Sequence, residues 1–448
     1  MTSEGQPNVA ASADVSLREA CATWLRIGCL SFGGPAAQIA VMHRLVVEEK
    51  RWVDERRFMN ALNCCVLLPG PEAQQLATFL GWTLHGIRGG LAAGLLFILP
   101  GSLIMLLLGI MYTEYRGLPA IAALFFGLKC AVLPILADAV IRMSRRVLQS
   151  RPMIWAAVLS SLFTLFTRLP FPALVAFAGL AGWFGSRRQN MEATSSTTEA
   201  LKTSPDWRAG GVWISSLKLL LPGLACWFAP LLAAWRLQGW DSVYVQIVLF
   251  FSRAAVVTFG GAYAVLSYVN QQAVEHYGWL DKSEMADGLG LAETTPGPLI
   301  LVVQFVGHLA GWRHGEGLPA VVGGLIGAIL ATWVTFVPSF LWIFLSAPWV
   351  DRLPRIRGAA LALQTISAAV VGVIFSLGLS LAGSTLFSGQ QLVNAGPLLV
   401  RMPVWSSVQP AALAITAFGA ILLWGLRAGM GAVLCGCVAA GLVLKLVL

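Results

Sequence analysis

The sequence predicts an all-α polytopic membrane protein built from two inverted-topology repeats, with re-entrant broken-helix hairpins at paired FGG and PGP motifs. Three observations predict it: an apolar composition, a long gapless internal repeat, and a Lys/Arg bias that changes sides between the repeats. Of 448 residues, 57% are hydrophobic and 11% are Asp, Glu, Lys or Arg, with a mean hydropathy of +0.75. A soluble domain carries about 25% charged residues to solvate its surface, so a water-soluble enzyme is excluded. Apolar runs at 91–110, 318–345 and 411–426 match the length of about 20 residues that crosses a ~30 Å hydrocarbon core. Many of the 46 Gly and 22 Pro fall inside such runs. Broken backbone at membrane depth is tolerated only inside protein or beside water, which favours a transporter over a simple bundle.

Taken in order, residues 1–16 form a polar tail lacking the basic and apolar regions of a secretory signal, so insertion relies on the internal helices. A first repeat occupies 17–185, and 186–211 is a Ser/Thr-rich linker too polar to enter a membrane. Residues 212–242 supply a connecting transmembrane helix, and 243–448 the second repeat. Residues 31–71 align without a gap on 258–298, at an offset of 227, with 12 of 41 positions identical. The identities include Phe32-Gly33-Gly34 with Phe259-Gly260-Gly261, Trp52 with Trp279, Asp54 with Asp281, and Pro69-Gly70-Pro71 with Pro296-Gly297-Pro298. Just upstream, Arg26 matches Arg253.

Orientation follows from the rule that cytoplasmic loops are rich in Lys and Arg. Residues 43–57 hold Arg44, Lys50, Arg51, Arg56 and Arg57, whereas their counterparts, 270–284, hold only Lys282. Arg142, Arg145, Arg146 and Arg151 have no basic counterpart at 377–399, and Arg116 alone faces Arg352, Arg355 and Arg357. Each comparison flips in the same sense, which predicts inverted repeats, an arrangement common in secondary transporters. The N-terminus and the 186–211 linker are then cytoplasmic, and the net charge of +9 reports cytoplasmic loops, not nucleic acid. The same topology makes 54–84 start and end inside, as a re-entrant hairpin broken at Pro69-Gly70-Pro71, and 283–312 a hairpin from the other side broken at Pro296-Gly297-Pro298. The FGG segments form a second pair. Full spans fall at about 88–113, 119–141, 153–168, 171–185, 212–235, 318–345, 357–380, 409–426 and 430–448, those at 153–185 being equally readable as a further hairpin.

A break followed by a new helix leaves the first N–H groups without intrahelical partners. Pro71 and Pro298 suit the first helical position, where the missing N–H costs nothing. Such ends carry partial positive charge, and several aimed at one point make an anion site. The candidate binding residues are therefore Gly33, Gly34, Pro69, Gly70, Pro71, Gln74, Gln75, Gly260, Gly261, Thr294, Thr295, Pro296, Gly297 and Pro298, with Glu72 and Glu293 as candidates for proton coupling. Arg26 and Arg253 either contact an oxyanion through their planar forks or neutralise a glutamate such as Glu72 or Glu293. Lys129, opposite Gln364 in the second repeat, is explained by snorkelling, and His85 and His308 are the histidines placed to relay protons. Eight cysteines without CxxC or zinc-ligand spacing read as small buried hydrophobes, and no metal or cofactor is expected. No HExxH, GxSxG or paired intramembrane Asp supports a membrane hydrolase, and the long soluble domains of a receptor are missing.

At these residues the chain resembles the chromate ion transporter family. The resemblance rests on the repeated FGG and PGP motifs, the Trp52 and Trp279 loops, and the stretches from Leu67 to Ala77 and from Leu291 to Pro298. It covers nearly the whole chain in the long two-repeat form and is weakest after about Ser384. The resemblance implies bacterial inner-membrane efflux of chromate, a tetrahedral dianion, and chromate resistance. Cys64 and Cys65 lie awkwardly near a site for an oxidising substrate and are expected on the helix face away from it. Half-helix ends and Arg forks do not separate chromate from sulfate by shape, so sulfate or another oxyanion stays open as substrate. The expected partners are the oxyanion, the lipid bilayer and, by base rate alone, a second copy in a homodimer.

Overall fold

The computed structural model describes residues 15–167, 171–192, 209–257, 262–347, 357–395 and 398–447. The first half runs α1 (Leu17–Leu30), α2 (Gly34–His43), a π-helical turn (Arg44–Glu49), α3 (Glu55–Leu67), α4 (Glu72–Tyr115), α5 (Pro119–Val147), α6 (Arg151–Phe166) and α7 (Phe171–Glu192). The second begins with α8 (Ala209–Gln238) and continues with α9 (Val243–Val257), α10 (Ala262–Val269), a second π-helical turn (Asn270–His276) and α11 (Lys282–Thr294). A 3₁₀ turn (Leu299–Leu301) leads into α12 (Val302–His314), followed by α13 (Ala320–Ser346) and α14 (Arg357–Leu386). Strands β1 (Gln390–Ala395) and β2 (Leu398–Pro403), α15 (Pro410–Ala420) and α16 (Met430–Val447) complete it.

The 227-residue offset is reproduced bond by bond. Both bounds of α3 plus 227 give those of α11. Lys50 N–H donates to Leu45 O and Trp52 N–H to Val46 O, while Tyr277 N–H donates to Gln272 O and Trp279 N–H to Ala273 O, all at 2.9–3.0 Å. The shared aspartates are N-caps, whose carboxylates satisfy an orphan first-turn N–H: Asp54 accepts from Arg57 N–H at 2.6 Å and Asp281 from Glu284 N–H at 2.8 Å. Glu284 reciprocates on Asp281 N–H at 2.9 Å, closing a capping box. The repeats also exchange partners. Helix α5 packs against α15 and α16 of the second half, and α14 against α6 and α7 of the first. The approach is close enough that a Cβ at Gly182 would fall 2.7 Å from Ala362 Cα, and one at Gly127 would collide with the Cys437 carbonyl.

Five helices among the described residues are long and apolar enough to cross a membrane, on α4, α5, α8, α13 and α14. Helix α4 is two helices end to end, since His85 (φ −138°) and Gly86 (φ 60°) leave helical geometry, so its second part is the span expected from residue 88. Along that part Leu91, Leu95, Leu99, Leu103 and Leu107 are all exposed. One residue in four puts them on one face, an apolar stripe suited to lipid.

Four sequence expectations are amended. The all-α reading missed the antiparallel hairpin β1–β2, in which Gln390 pairs with Pro403 and Ala395 with Leu398, because a single short hairpin carries no repeat signal. Helices α7 and α8 run into the edges of the expected 186–211 linker, to Glu192 and from Ala209; 193–208 lies outside the described residues. Pro71 and Pro298 sit one position earlier than expected, as N-caps with extended backbone. Cys64, Cys65, Cys130 and Cys437 are buried, but Cys29, Cys226 and Cys435 are exposed, and Cys435 lines a cavity wall.

Candidate functional site

Each PGP break is held by a different set of contacts. At the first, Gly70 has φ 128° and Gln75 Nε2 donates to Pro69 O at 2.7 Å, stapling the break to the first turn of α4. A Cβ at Gly70 would fall 2.6 Å from Ser339 Oγ on α13. Gln74 Nε2 donates to Thr78 Oγ1 at 2.9 Å, and Gln74, Gln75 and Thr78 are fully buried. At the second break Gly297 (φ 90°) donates its N–H to Ser31 O at 2.8 Å, and its carbonyl accepts from Gln38 Nε2 at 2.7 Å. Ser31 caps α1 immediately before Phe32-Gly33-Gly34. The first FGG motif therefore grips the second PGP motif across the repeat boundary. Helix α4 closes the other side, where only a glycine at 101 lets the Pro296 carbonyl approach.

Beside this junction lies a cavity of about 430 Å³, lined by Phe32, Gly33, Ala37, Arg142, Glu293, Thr294 and, from the first two turns of α16, Met430, Gly431, Leu434 and Cys435. Helices α2 and α16 both begin at its wall, presenting positive dipole ends. Arg142 adds a guanidinium whose charge is shared with Asp138 at 3.2 Å. The arrangement sets these positive groups in one wall with the Glu293 carboxyl, the one acidic group among the described lining residues.

The structure brings together Gly33, Glu293 and Thr294 at this cavity, with Gly34, Thr295, Pro296, Gly297 and Pro298 in the adjoining junction. Pro69, Gly70, Pro71, Glu72, Gln74 and Gln75 line neither this cavity nor the larger one described below. Gly260 and Gly261 lie outside the described residues. Arg26 and Arg253 are exposed on α1 and α9 and line neither cavity, so the expected guanidinium contacts are not formed here. The turn of each helix that buries Trp24 or Phe251 directs the arginine outward. Neither arginine has an ion-pair partner among the described residues. Cys64 and Cys65 are buried in the first-half core and line neither cavity. His85 Nε2 lies 2.6 Å from Val15 O, and the buried His308 Nε2 lies 3.2 Å from Thr113 Oγ1.

The sequence reading missed a charged cluster where α4, α5, α11 and α12 meet. Arg313 holds Glu284 with two bonds of 2.8 and 2.5 Å, and Arg116 holds the same carboxylate from α4. One turn further along α11, Asp287 accepts from Tyr112 OH at 2.9 Å and lies 3.4 Å from Lys129 Nζ, which also donates to Ser283 Oγ. Lys129 therefore does not snorkel; its side chain is 15% exposed and that of Asp287 4%. Removing one partner of such a buried pair costs about 3–5 kcal/mol. The available signal was the presence of opposite charges in separate apolar segments, Lys129 in one and Asp287 in the other.

A second cavity of about 1310 Å³ opens beside this cluster, lined by polar groups including Ser267, Asn270, Lys282, Glu284, Arg313 and Ser380.

A polytopic helical chain with paired broken segments and a cavity at each end of α11 belongs in class with the membrane transporters. It belongs to the chromate transporter family, which matches residues 18–183 and 245–442. The chain is 29% identical over 384 residues to the chromate transport protein of Cupriavidus metallidurans, covering 84% of this chain and 86% of that one. To the chromate transport protein of Pseudomonas aeruginosa it is 30% identical over 410 residues, covering 89% and 90%. To a probable chromate transport protein of Synechococcus elongatus it is 28% identical over 420 residues, covering 91% and 96%. No solved structure shows a significant match.

Proposed function

We propose that the protein exports chromate from the bacterial cytoplasm across the inner membrane and so confers chromate resistance. The observation that carries this reading is the junction of the first FGG motif with the second PGP motif beside a cavity furnished with two helix N-termini and Arg142. A dianion gains there from dipole ends and one guanidinium, and the names of the relatives supply the substrate.

The Lys/Arg bias supports inverted repeats, with 43–57, 142–151 and the 186–211 linker on the cytoplasmic side, and the broken segments as re-entrant hairpins. In that frame the smaller cavity opens to the cytoplasm and the larger one to the outside. Moving one charge across 100 mV is worth about 2.3 kcal/mol, so expelling a dianion from a negative-inside cell gains about 4.6 kcal/mol per 100 mV. Export then needs no coupled ion. Of the two carboxyls suited to proton coupling, Glu293 in the cavity wall is the stronger candidate, and Glu72 at the start of α4 the weaker.

The test is uptake of labelled chromate by everted membrane vesicles with and without an imposed potential. Potential-driven accumulation that falls on Arg142→Gln supports export through this cavity. Accumulation of sulfate with indifference to chromate keeps the mechanism and overturns the substrate. Replacing Glu72 and Glu293 together by Gln and finding undiminished pH-dependent transport removes proton coupling at these residues.

A further inference from the structure

Helix α11 joins the two cavities. Its first residues, Lys282 and Glu284, line the larger cavity, and its last, Glu293 and Thr294, line the smaller. Its 13 residues at a rise of 1.5 Å span about 20 Å. Asp287 stands on α11 between the two cavities, held by Lys129 and Tyr112, and towards the smaller cavity α11 packs tightly on α5: a Cβ at Gly290 would fall 2.6 Å from Leu128 Cγ.

We propose that Lys129 and Tyr112 form a second oxyanion site on the transport route, and that Asp287 is the chain's own carboxylate occupying it between transport events. The inference rests on the reading that the chain moves an oxyanion. Two groups from different helices, the Tyr112 hydroxyl donating at 2.9 Å and the Lys129 ammonium paired at 3.4 Å, converge on the two oxygens of one carboxylate. Two oxygens of a tetrahedral oxyanion present the same acceptors. Asp287 Oδ1 meets Lys129 only as an ion pair, without a hydrogen bond, so the side chain fills the site without saturating it. A dianion brings one charge more than the carboxylate and displaces it from Lys129. The Arg116 guanidinium, 5.2 Å from the centre of the Tyr112 ring, is a further cation beside the displaced Asp287. In the first repeat Asn60 stands at the position of Asp287, and Gln364 stands opposite Lys129, so the repeat does not demand charges there.

The test uses the purified full chain in proteoliposomes with an imposed potential, radiolabelled chromate as the probe and thermal unfolding as the control for folding. Asp287→Asn vacates the site and is expected to lower the KM for chromate about threefold or more, while Lys129→Gln is expected to lose at least about tenfold in kcat/KM. The double variant Lys129→Gln/Asp287→Asn removes both charges together; wild-type-like unfolding with transport still at least about tenfold down supports the proposal. A purely structural ion pair predicts that the double variant recovers transport together with its fold, and that result overturns it. Should the double variant fail to fold, the Asp287→Asn KM decides, since an unchanged or raised KM is equally fatal. Wild-type protein that moves no oxyanion sinks the transport reading itself, whereas wild-type transport shared by the double variant sinks this inference alone.

Discussion

Ser31 and Gly297, 266 positions apart in the chain, are joined by a backbone hydrogen bond of 2.8 Å that ties the first FGG motif to the second PGP motif. Gln38 completes the clasp from the first turns of α2 by donating to the carbonyl of the same glycine. The clasp fixes one wall of the smaller cavity, so its loss acts on transport through geometry.

Gly297→Ala places a side chain in left-handed backbone, at a cost of about 1–2 kcal/mol, and Gln38→Leu leaves a buried carbonyl unsatisfied for about 1–3 kcal/mol. Both variants are expected to melt lower than wild type and to transport chromate at least about fivefold more slowly, as measured in vesicles at equal protein. Wild-type transport by both removes the clasp from the mechanism.

Arg51 adopts φ 54°, the left-handed region, at the position where the second repeat has Gly278 at φ 63°. The π-helical turns before them carry the same hydrogen bonds, so glycine fits the first turn without rearrangement. Relief of the Cβ clash gains about 1–2 kcal/mol, part of which is lost to the greater freedom of glycine in the unfolded chain. Arg51→Gly is therefore expected to raise the melting temperature slightly or leave it unchanged, and Gly278→Arg to lower it. A clear fall in Arg51→Gly means that the arginine side chain contributes more than its backbone costs.

These particulars show what was legible in the sequence. Motifs that recur at one offset announced the PGP segments as breaks, whereas the matched Asp54 and Asp281 were legible only as a repeated pair, their capping role emerging from the helix starts. The clasp was not legible, because a repeat aligns Ser31 with Thr258 and says nothing about which motif touches which. Arg26 and Arg253 attracted attention as charges in apolar stretches, but their helices turn them outward, and direction depends on packing that periodicity leaves undetermined when most faces are apolar. The Lys129–Asp287 pair was hidden for the opposite reason: it belongs to one repeat arrangement only, so a search for symmetry passes over it.

His43 sits between Glu48 and Glu55, at 3.0 and 2.6 Å. The hydrogen bond to Glu55, aided by the negative charges of both glutamates, raises its pKa above the ordinary 6.5, against a smaller opposing effect of desolvation. A raised folded-state pKa stabilises fully below the unfolded value and loses that contribution as pH rises through the folded value. Stability is therefore expected to decline above pH 6.5, and His43→Gln to lack that decline. Melting curves of both proteins across that range check it, and parallel pH profiles reject the assignment.

The proposed inverted arrangement makes a prediction that residue pairs at the 227 offset test directly. Glu49 and His276 are equivalent and exposed, each closing its π-helical turn, yet the Lys/Arg bias assigns them to opposite sides of the membrane. In a background with Cys29, Cys226 and Cys435 replaced by Ser, Glu49→Cys and His276→Cys are compared with a membrane-impermeant thiol reagent. In intact cells the reagent is expected to modify His276→Cys alone, and in everted vesicles Glu49→Cys alone. Modification of both from one side means that the halves run parallel. The two cavities would then open on other sides than proposed, and the route along α11 would lose its direction while its contacts stayed as they are.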